Sequence, residues 1–403
     1  MLELADVEDA VEAVSAVARH TPLDHSETFS AMTGAEVFCK LENAQRTGSF
    51  KIRGAANRIR RLTEAEREAG VVTASAGNHA QGVALAASRA GVDATVVMPE
   101  TAPISKVKAT ERYGASVVLH GVDYDDAQAR AHEIEDAEGR TYVHAFDDEA
   151  VMAGQGTVGL EIMEDLPDVD TVVVPVGGGG LISGIATAVK ARSPETRVVG
   201  VQAAGASSLA DSLRKGRLTH LERVDTIADG IAVSGVGERD FPVIRERVDE
   251  VVTVTDGQIA NALVLLLERG KTLAEGAGAV SVAALLSVAF DYERGERIVP
   301  VVSGGNIDLN LLTTVIVRGL VDQGRYVKLR TVLKDRPGAL ADLLEVLTDE
   351  RANIYGIQHD RTNRDVAMNA AEVELDLETR GADHVDELLA RLRAEGYEVD
   401  LLV

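Results

Sequence analysis

Lys51 lies within the stretch KLENAQRTGSFKIRGA, Lys40 to Ala55, in a chain that uses lysine sparingly, with nine lysines against 32 arginines. Arginine cannot give up its proton in a protein, whereas a desolvated lysine can, and its free amine is the group that forms Schiff bases. The plainer reading is a surface lysine opening an amphipathic helix, since Lys51, Ala55 and Arg58 fall roughly on one face. Three further segments could do chemistry. In Gly177-Gly178-Gly179-Gly180-Leu181, consecutive backbone N–H groups can converge on a phosphate at a helix start, where the dipole also favours an anion. This run is not G-x-G-x-x-G and lacks Gly-Lys-Ser, which counts against a nucleotide loop. Ser75-Ala76-Gly77-Asn78-His79 is a second strand-to-helix turn, suited to a carboxylate, with His79 read as a structural residue opening the helix. Ser303-Gly304-Gly305-Asn306 follows the apolar run Val299 to Val302.

These residues need elements to hold them. Val7, Ala10, Val11, Val14 and Val17 give a helical spacing over Asp6 to Arg19, ended by Thr21-Pro22-Leu23. Val37 to Leu41 reads as a strand, Gly48-Ser49 as a helix start with Ser49 as N-cap, and Gly70 to Thr73 as a buried strand. Alternation follows: helix 78–90 and strand Ala94 to Met98, helix 103–113 and strand Ser116 to Leu119, helix 123–138 and strand Thr141 to Val143. It resumes with helix 151–165, strand Thr171 to Pro175, helix 181–192, strand Arg197 to Gln202, helices 257–269 and 276–287, and strand Ile298 to Val302. Apolar strands separated by such helices imply an α/β fold with a parallel sheet covered on both faces and ligands at its carboxyl edge.

From Gly324 the character changes. Residues 326–403 read strand (Tyr326 to Leu333), helix (Pro337 to Glu350), strand (Asn353 to Asp360), strand (Asp365 to Asp376), helix (Ala382 to Glu395) and strand (Tyr397 to Leu402). This βαββαβ order is ferredoxin-like. Pro337 suits a first helical position, and Gly338 would let a ligand approach the backbone closely. The turn Asp335-Arg336-Pro337-Gly338-Ala339-Leu340 resembles that of ACT domains, small modules that often bind amino acids. The resemblance implies an effector site at Asp335, Gly338, Ala339, Leu340, Asn353 and Ile354; a plain helix start without a ligand is the alternative.

Ser49, Phe50, Lys51, Arg53, Gly54 and Ala55 together resemble the pyridoxal-phosphate attachment signature of the serine/threonine dehydratases. The resemblance covers roughly the first 320 residues, because SAGNHAQG at Ser75, GGGGL at Gly177 and SGGN at Ser303 match in the same order. It implies the two-subdomain, mostly parallel three-layer α/β/α unit of fold type II over residues 1–320. A smaller subdomain is expected near 50–150 and an ACT domain over 326–403. It also implies that Lys51 holds the cofactor and acts as base, with cofactor contacts from Phe50, Asn78, Gly177 to Leu181 and Ser303. Ser75 to His79 would bind the substrate carboxylate. Asn78 would bond the cofactor's phenolic oxygen, and Ser303 would face its pyridine nitrogen. A hydroxyl there leaves the ring uncharged and a poorer electron sink, which favours elimination over transamination.

Related serine racemases carry a second serine where this chain has Ala76, so racemisation should be weak. At the positions where those relatives hold a divalent cation this chain has Gln202 and Ser208, too few oxygen anions for a metal site, and none is expected. The activity implied is deamination of L-threonine to 2-oxobutanoate, with slower action on L-serine, under regulation by isoleucine or valine. A β-replacing enzyme of the same fold is disfavoured by Ile52-Arg53-Gly54-Ala55. A silent amino-acid-binding regulator is disfavoured by the four motifs occurring together.

At 403 residues the chain is long enough for two or three cores, built from Val, Leu, Ile and Ala because aromatics make up only 3%. A net charge of −24, spread along the chain, argues against nucleic-acid binding and fits a protein kept soluble in high salt. The single cysteine, Cys39, excludes an intrachain disulfide and reads as buried filler. The start MLELADVEDA has no apolar core, and no apolar run reaches membrane-spanning length, so a cytoplasmic protein is expected. A homo-oligomer, dimer or tetramer, is expected as well.

Overall fold

The computed structural model describes residues 1–362 and 366–403, which divide into Met1–Asp308 and Leu309–Val403. In the first unit the strands are β1 (Leu23–His25), β2 (Glu36–Leu41), β3 (Val71–Ala74), β4 (Ala94–Met98) and β5 (Ser116–Leu119). They continue with β6 (Thr141–Tyr142), β7 (Thr171–Pro175), β8 (Arg197–Ala203), β9 (Glu250–Val254) and β10 (Arg297–Val302). A six-stranded sheet has the order β1-β2-β10-β7-β8-β9 and a four-stranded sheet the order β5-β4-β3-β6. Every pairing is parallel except that of β1 with β2. β3, β4 and β7 are buried at every residue, which is why they read as unbroken apolar runs rather than alternating ones.

The order of the larger sheet positions the chemistry. β10 lies between β2 and β7, with Val302 opposite Leu41 and Pro300 opposite Val173. The carboxyl ends of these neighbours lead into the Lys51 segment, the Ser303 turn and the glycine run, so segments far apart in sequence emerge side by side.

Helix Lys51–Arg60 is seated against helix Glu149–Asp165 with almost no gap. A Cβ added at Gly154 would stand 2.5 Å from the Arg53 carbonyl oxygen, and one at Gly54 would be 2.8 Å from that of Val151. Only glycine permits this approach. The pair is then locked by charge. Arg53, fully buried, bonds both oxygens of buried Glu42 at 2.8 Å and both of Glu161 at 2.6 and 2.9 Å. It also donates to Thr157 Oγ1 at 3.1 Å, while buried Lys40 reaches Glu161 at 2.7 Å.

Two local expectations change, and that for Cys39 holds. Ser49 is not the N-cap: it is extended (φ −163°), bridges Gly304, and leaves Phe50 to open the helix. The tertiary bridge wins over the local capping preference. The segment between β8 and the helix Asp256–Glu268 adds β9, with helices Ser208–Lys215 and Asp240–Arg247, none of which the sequence pattern announced. Cys39 lies buried in β2; burial, with Asp24 nearby, pushes its thiol up to about 12, so it is unreactive.

The second unit contains helix Leu309–Asp322 and the strands β11 (Tyr326–Lys334), β12 (Asn353–Asp360), β13 (Ala370–Glu378) and β14 (Val399–Leu401), in sheet order β12-β13-β11-β14. β11 and β13 alternate inward and outward, and Leu329, Val373 and Leu375 pack with Leu343, Leu347 and Leu388 of helices Ala339–Asp349 and Ala382–Ala394. The first of these helices starts at Ala339, not Pro337, with Gly338 as its cap at φ +91°. A backbone in that region suits glycine and stops the helix from reaching back to the proline. The expected strand start at Asp365 lies outside the described residues. Among the described residues no helix is long and apolar enough to cross a membrane.

Candidate active site

Backbone bonds, side-chain bonds and close packing together tie the four segments to one another. The Phe50 N–H donates to the Ser303 carbonyl (3.2 Å), and Gly305 N–H to that of Gly48 (2.9 Å). Asn306 Nδ2 donates to Asn78 Oδ1 (2.7 Å) and to the Thr47 carbonyl (2.6 Å), which joins the third segment to the first. Lys51 Nζ donates to the Ala145 carbonyl at 2.9 Å. The next residue, Phe146, lies against the glycine run: a Cβ at Gly178 would overlap its ring, and one at Gly180 would be 3.1 Å from its Cα. The sequence motifs therefore form one place.

The glycine run is fully buried between β7 and helix Gly180–Arg192, with Leu181 in the first turn of that helix. Gly179 caps the helix at φ +107°, a conformation that leaves successive N–H groups pointing away from the helix. Ser75, Ala76 and Gly77 form the partly buried turn between β3 and helix Asn78–Ala90, and the Gly77 N–H donates to Ser75 Oγ at 3.1 Å. His79 is buried with Nε2 at 2.9 Å from the Val143 carbonyl, and burial, with Lys51 nearby, pulls its pKa down to about 3. A ring with that pKa is neutral at physiological pH, so it does not serve as a proton donor there. Buried Ser303 donates to the Ala277 carbonyl at 3.3 Å.

Burial pulls the Lys51 ammonium down to about 8, against the opposing pull of Asp240 and Glu275. Roughly a tenth of the amine is then free at pH 7, far more than for an ordinary lysine, which is the property the sequence argument required of this residue.

Several residues here were not singled out from the sequence. Glu275 is buried and accepts from Asn78 Nδ2 at 2.5 Å; burial, opposed chiefly by that bond, raises its carboxyl to about 7. Asn78 is thus held by Glu275 on one side and Asn306 on the other. Phe146, the Asp229–Ile231 turn and Asp240 also border the glycine run or Asn78. Only the pairing of a buried Glu with two glycines in Glu275-Gly276-Ala277-Gly278 could have hinted at any of them.

Glu275 makes a prediction. In the cofactor-free chain its folded pKa lies above the unfolded one, so the folded state holds the extra proton between about pH 4.5 and 7 and loses relative stability as pH rises through that window. Glu275→Gln, which keeps the bond to Asn78, is expected to remove this slope. Denaturant titrations at several pH values should show the variant gaining on the wild type by on the order of 2–3 kcal/mol from pH 4.5 to 7. Parallel curves would show that Glu275 does not titrate there.

Gln202 is buried, with Oε1 accepting from the Leu209 N–H (2.9 Å), and Ser208 is buried at the start of the following helix. Among the described residues no group of three or more His, Cys, Asp or Glu is arranged to hold a metal ion. A groove of about 670 Å³ beside helix Leu4–Val17, lined by Val11, Arg19, His20 and Glu161, contains none of the candidate residues.

In the second unit the six candidate effector residues do not meet. Asp335, Gly338, Ala339 and Leu340 follow the Lys334 end of β11, which pairs with Ala370. Asn353 and Ile354 begin β12 opposite Glu378 and Leu377, at the other end of β13 and about 27 Å away along the strand. Asn353 Nδ2 donates to Glu378 at 3.0 Å, and Asp335 pairs with Arg361 at 3.0 Å. Within one chain they are two places, and the sequence treated them as one.

Comparison with known proteins agrees with this geometry. Residues 14–304 match the family described as pyridoxal-phosphate dependent enzyme, and residues 323–396 match an ACT domain. L-threonine ammonia-lyases of Thermotoga maritima and Geobacter sulfurreducens are each 49% identical, over 100% of this chain and 100% of theirs. The processed form of threonine deaminase isoform 2 from Solanum lycopersicum superposes with a TM-score of 0.76 at 42% identity, covering 78% of this chain and 92% of that one.

The residues fit such a cofactor. An aldehyde needs an amine that gives up its proton, and Lys51 supplies it. A phosphate needs convergent N–H groups with no side chain in the way, and the Gly177–Gly180 run, where a Cβ would overlap Phe146, supplies those. The chain belongs to the pyridoxal-phosphate dependent enzymes, among the L-threonine ammonia-lyases, and carries an ACT domain at its C-terminal end.

Proposed function

We propose that the chain converts L-threonine to 2-oxobutanoate and ammonia, and L-serine to pyruvate more slowly. The observation that carries this is the meeting of an easily deprotonated lysine and a glycine anion cradle, at the carboxyl edge of the six-stranded sheet, with the Ser75–His79 turn at the carboxyl end of β3 in the four-stranded sheet. Pyridoxal phosphate, when bound, supplies an aldehyde that condenses with the substrate amine and a ring that withdraws electrons from the Cα–H bond. Lys51 holds the cofactor and takes up the α-proton. Phe50, Asn78, Gly177, Gly178, Gly179, Gly180, Leu181 and Ser303 bind the cofactor, and Ser75, Ala76, Gly77, Asn78 and His79 form the carboxylate turn. Asn78 is pre-oriented by Glu275 and Asn306. Ala76 offers no proton to the opposite substrate face, which supports deamination over racemisation.

We place this chemistry in residues 1–320 and regulation in 326–403, in a cytoplasmic homo-oligomer that feeds isoleucine synthesis and tolerates high salt. Isoleucine or valine would act as effector through the ACT domain. Because the six candidate residues lie at two ends of one sheet, the reading favoured for the effector is the exposed Asp335–Leu340 turn.

The test is 2-oxo acid formation from L-threonine and L-serine by the full chain, with and without isoleucine and valine. Oxobutanoate from threonine, at higher kcat/KM than pyruvate from serine, is expected, with the threonine saturation curve shifted by one of the two amino acids. Faster serine turnover would reassign the substrate. An unchanged curve in an active enzyme would remove both effectors.

A further inference from the structure

Asp240 opens helix Asp240–Arg247 and is wholly buried, yet among the described residues neither of its carboxyl oxygens has a hydrogen-bond partner of good geometry. It does not cap its own helix. It stands against the glycine run: its Cβ lies 2.8 Å from where a Gly179 Cβ would be, and Oδ2 would overlap a Cβ at Gly237. Gly237 in turn donates to the Gly178 carbonyl at 2.9 Å, which ties the Asp240 segment to the cradle. Neighbouring groups do not neutralise it. Asp147 accepts from the Arg239 N–H at 2.8 Å and from its guanidinium onto the backbone carbonyl at 3.2 Å, and Ser183 Oγ, close to the carboxyl, donates to the Asp240 backbone carbonyl at 3.4 Å.

A buried carboxylate with no partner is costly as an anion, so the proton stays. Burial, reinforced by the charge of Asp147 and opposed by the nearby Ser183 hydroxyl and then by Lys51 and Arg239, holds this carboxyl well above the ordinary carboxylate range. A neutral carboxylic acid carries an O–H donor, and a donor with no acceptor in the protein sits beside a loop built to receive an anion. An ionised carboxylate in that place would repel the same anion.

We propose that Asp240 is a neutral carboxylic acid in the working enzyme and donates its O–H to the cofactor phosphate at the Gly177–Gly180 loop, a proposal that rests on that loop being the phosphate site.

The test titrates the cofactor-free full chain with pyridoxal phosphate and with pyridoxal, which lacks the phosphate, and compares the ratio of the two dissociation constants. Dividing by pyridoxal cancels everything Lys51 contributes. Wild type is expected to prefer the phosphorylated form by about a hundredfold or more. Asp240→Asn, the same shape with a permanent donor, is expected to stay within about threefold of that ratio, and Asp240→Ala to lower it about tenfold with pyridoxal affinity unchanged.

A tenfold higher ratio in Asp240→Asn would mean the wild-type group is ionised, and an unchanged ratio in Asp240→Ala would make it a bystander; either overturns the proposal. A wild-type ratio near one overturns the phosphate site itself. If Asp240→Ala does not fold, infrared difference spectra decide. A carboxylic-acid carbonyl band that shifts between the two complexes and vanishes in Asp240→Asn is expected, and its absence overturns the assignment.

Discussion

Lys51→Ala is expected to lower 2-oxobutanoate formation from L-threonine by at least about 10³-fold, and to lose the visible absorbance of bound cofactor while keeping the fold. The expectation follows from the amine's surroundings. Lys51 is anchored only by one bond to the Ala145 carbonyl and sits where burial favours the neutral form. Removing it leaves Ala145 with a lost donor but no stranded charge, so circular dichroism and melting should change little. Lys51→Arg is the sharper variant. It retains charge and length but not a releasable proton, and is expected to be as inactive as alanine. Activity within tenfold of wild type in either variant would show that another group takes the α-proton.

Arg53→Met is expected to act on stability. The substitution strands fully buried Glu42 without its guanidinium, while Glu161 loses Arg53 but keeps Lys40 at 2.7 Å. Breaking a buried pair of this kind costs about 3–5 kcal/mol, chiefly through the uncompensated charge left behind. For a unit of this size the apparent Tm should fall by about 5–10 °C. Arg53→Met combined with Glu42→Gln should recover part of the loss, because the second change removes one stranded charge. A double variant no more stable than Arg53→Met would show that packing, not charge, sets the cost. Arg53 lies two residues from Lys51 in the same helix and fixes that helix against its neighbour, so the surviving protein is also expected to show a lower kcat with a smaller change in KM.

The site was legible in the sequence wherever chemistry is written in neighbouring residues. The Lys51 stretch, the Ser75 turn, the glycine run and the Ser303 turn each announce themselves locally, and the alternation of apolar strands with helices foretold that they would follow strands. What joins them was not legible. Glu275 reaches Asn78 across 197 residues, and Lys51 reaches Ala145 across 94, pairings that no local spacing encodes. Ser49 shows the reverse failure: Gly-Ser before a helix is a sound capping signal, overridden by a bridge to Gly304. In the second unit the residues were legible but their location was not. The connection between β11 and β12 carries the chain back along the whole sheet, which separates Asn353 from the Asp335 turn.

The buried cluster of Arg53, Glu42, Glu161 and Lys40 has a consequence for how this chain can change over time. Ions screen charges that face solvent, and at molar salt the screening length shrinks to about 3 Å. Arg53, Glu42 and Lys40 are sealed from water, so the clamp that seats the Lys51 helix is insulated from ionic strength. The surplus of 65 acidic over 41 basic residues responds to salt as a whole. Adaptation to a new salinity can therefore rewrite the outer charge residue by residue while the alignment of the reactive amine stays untouched.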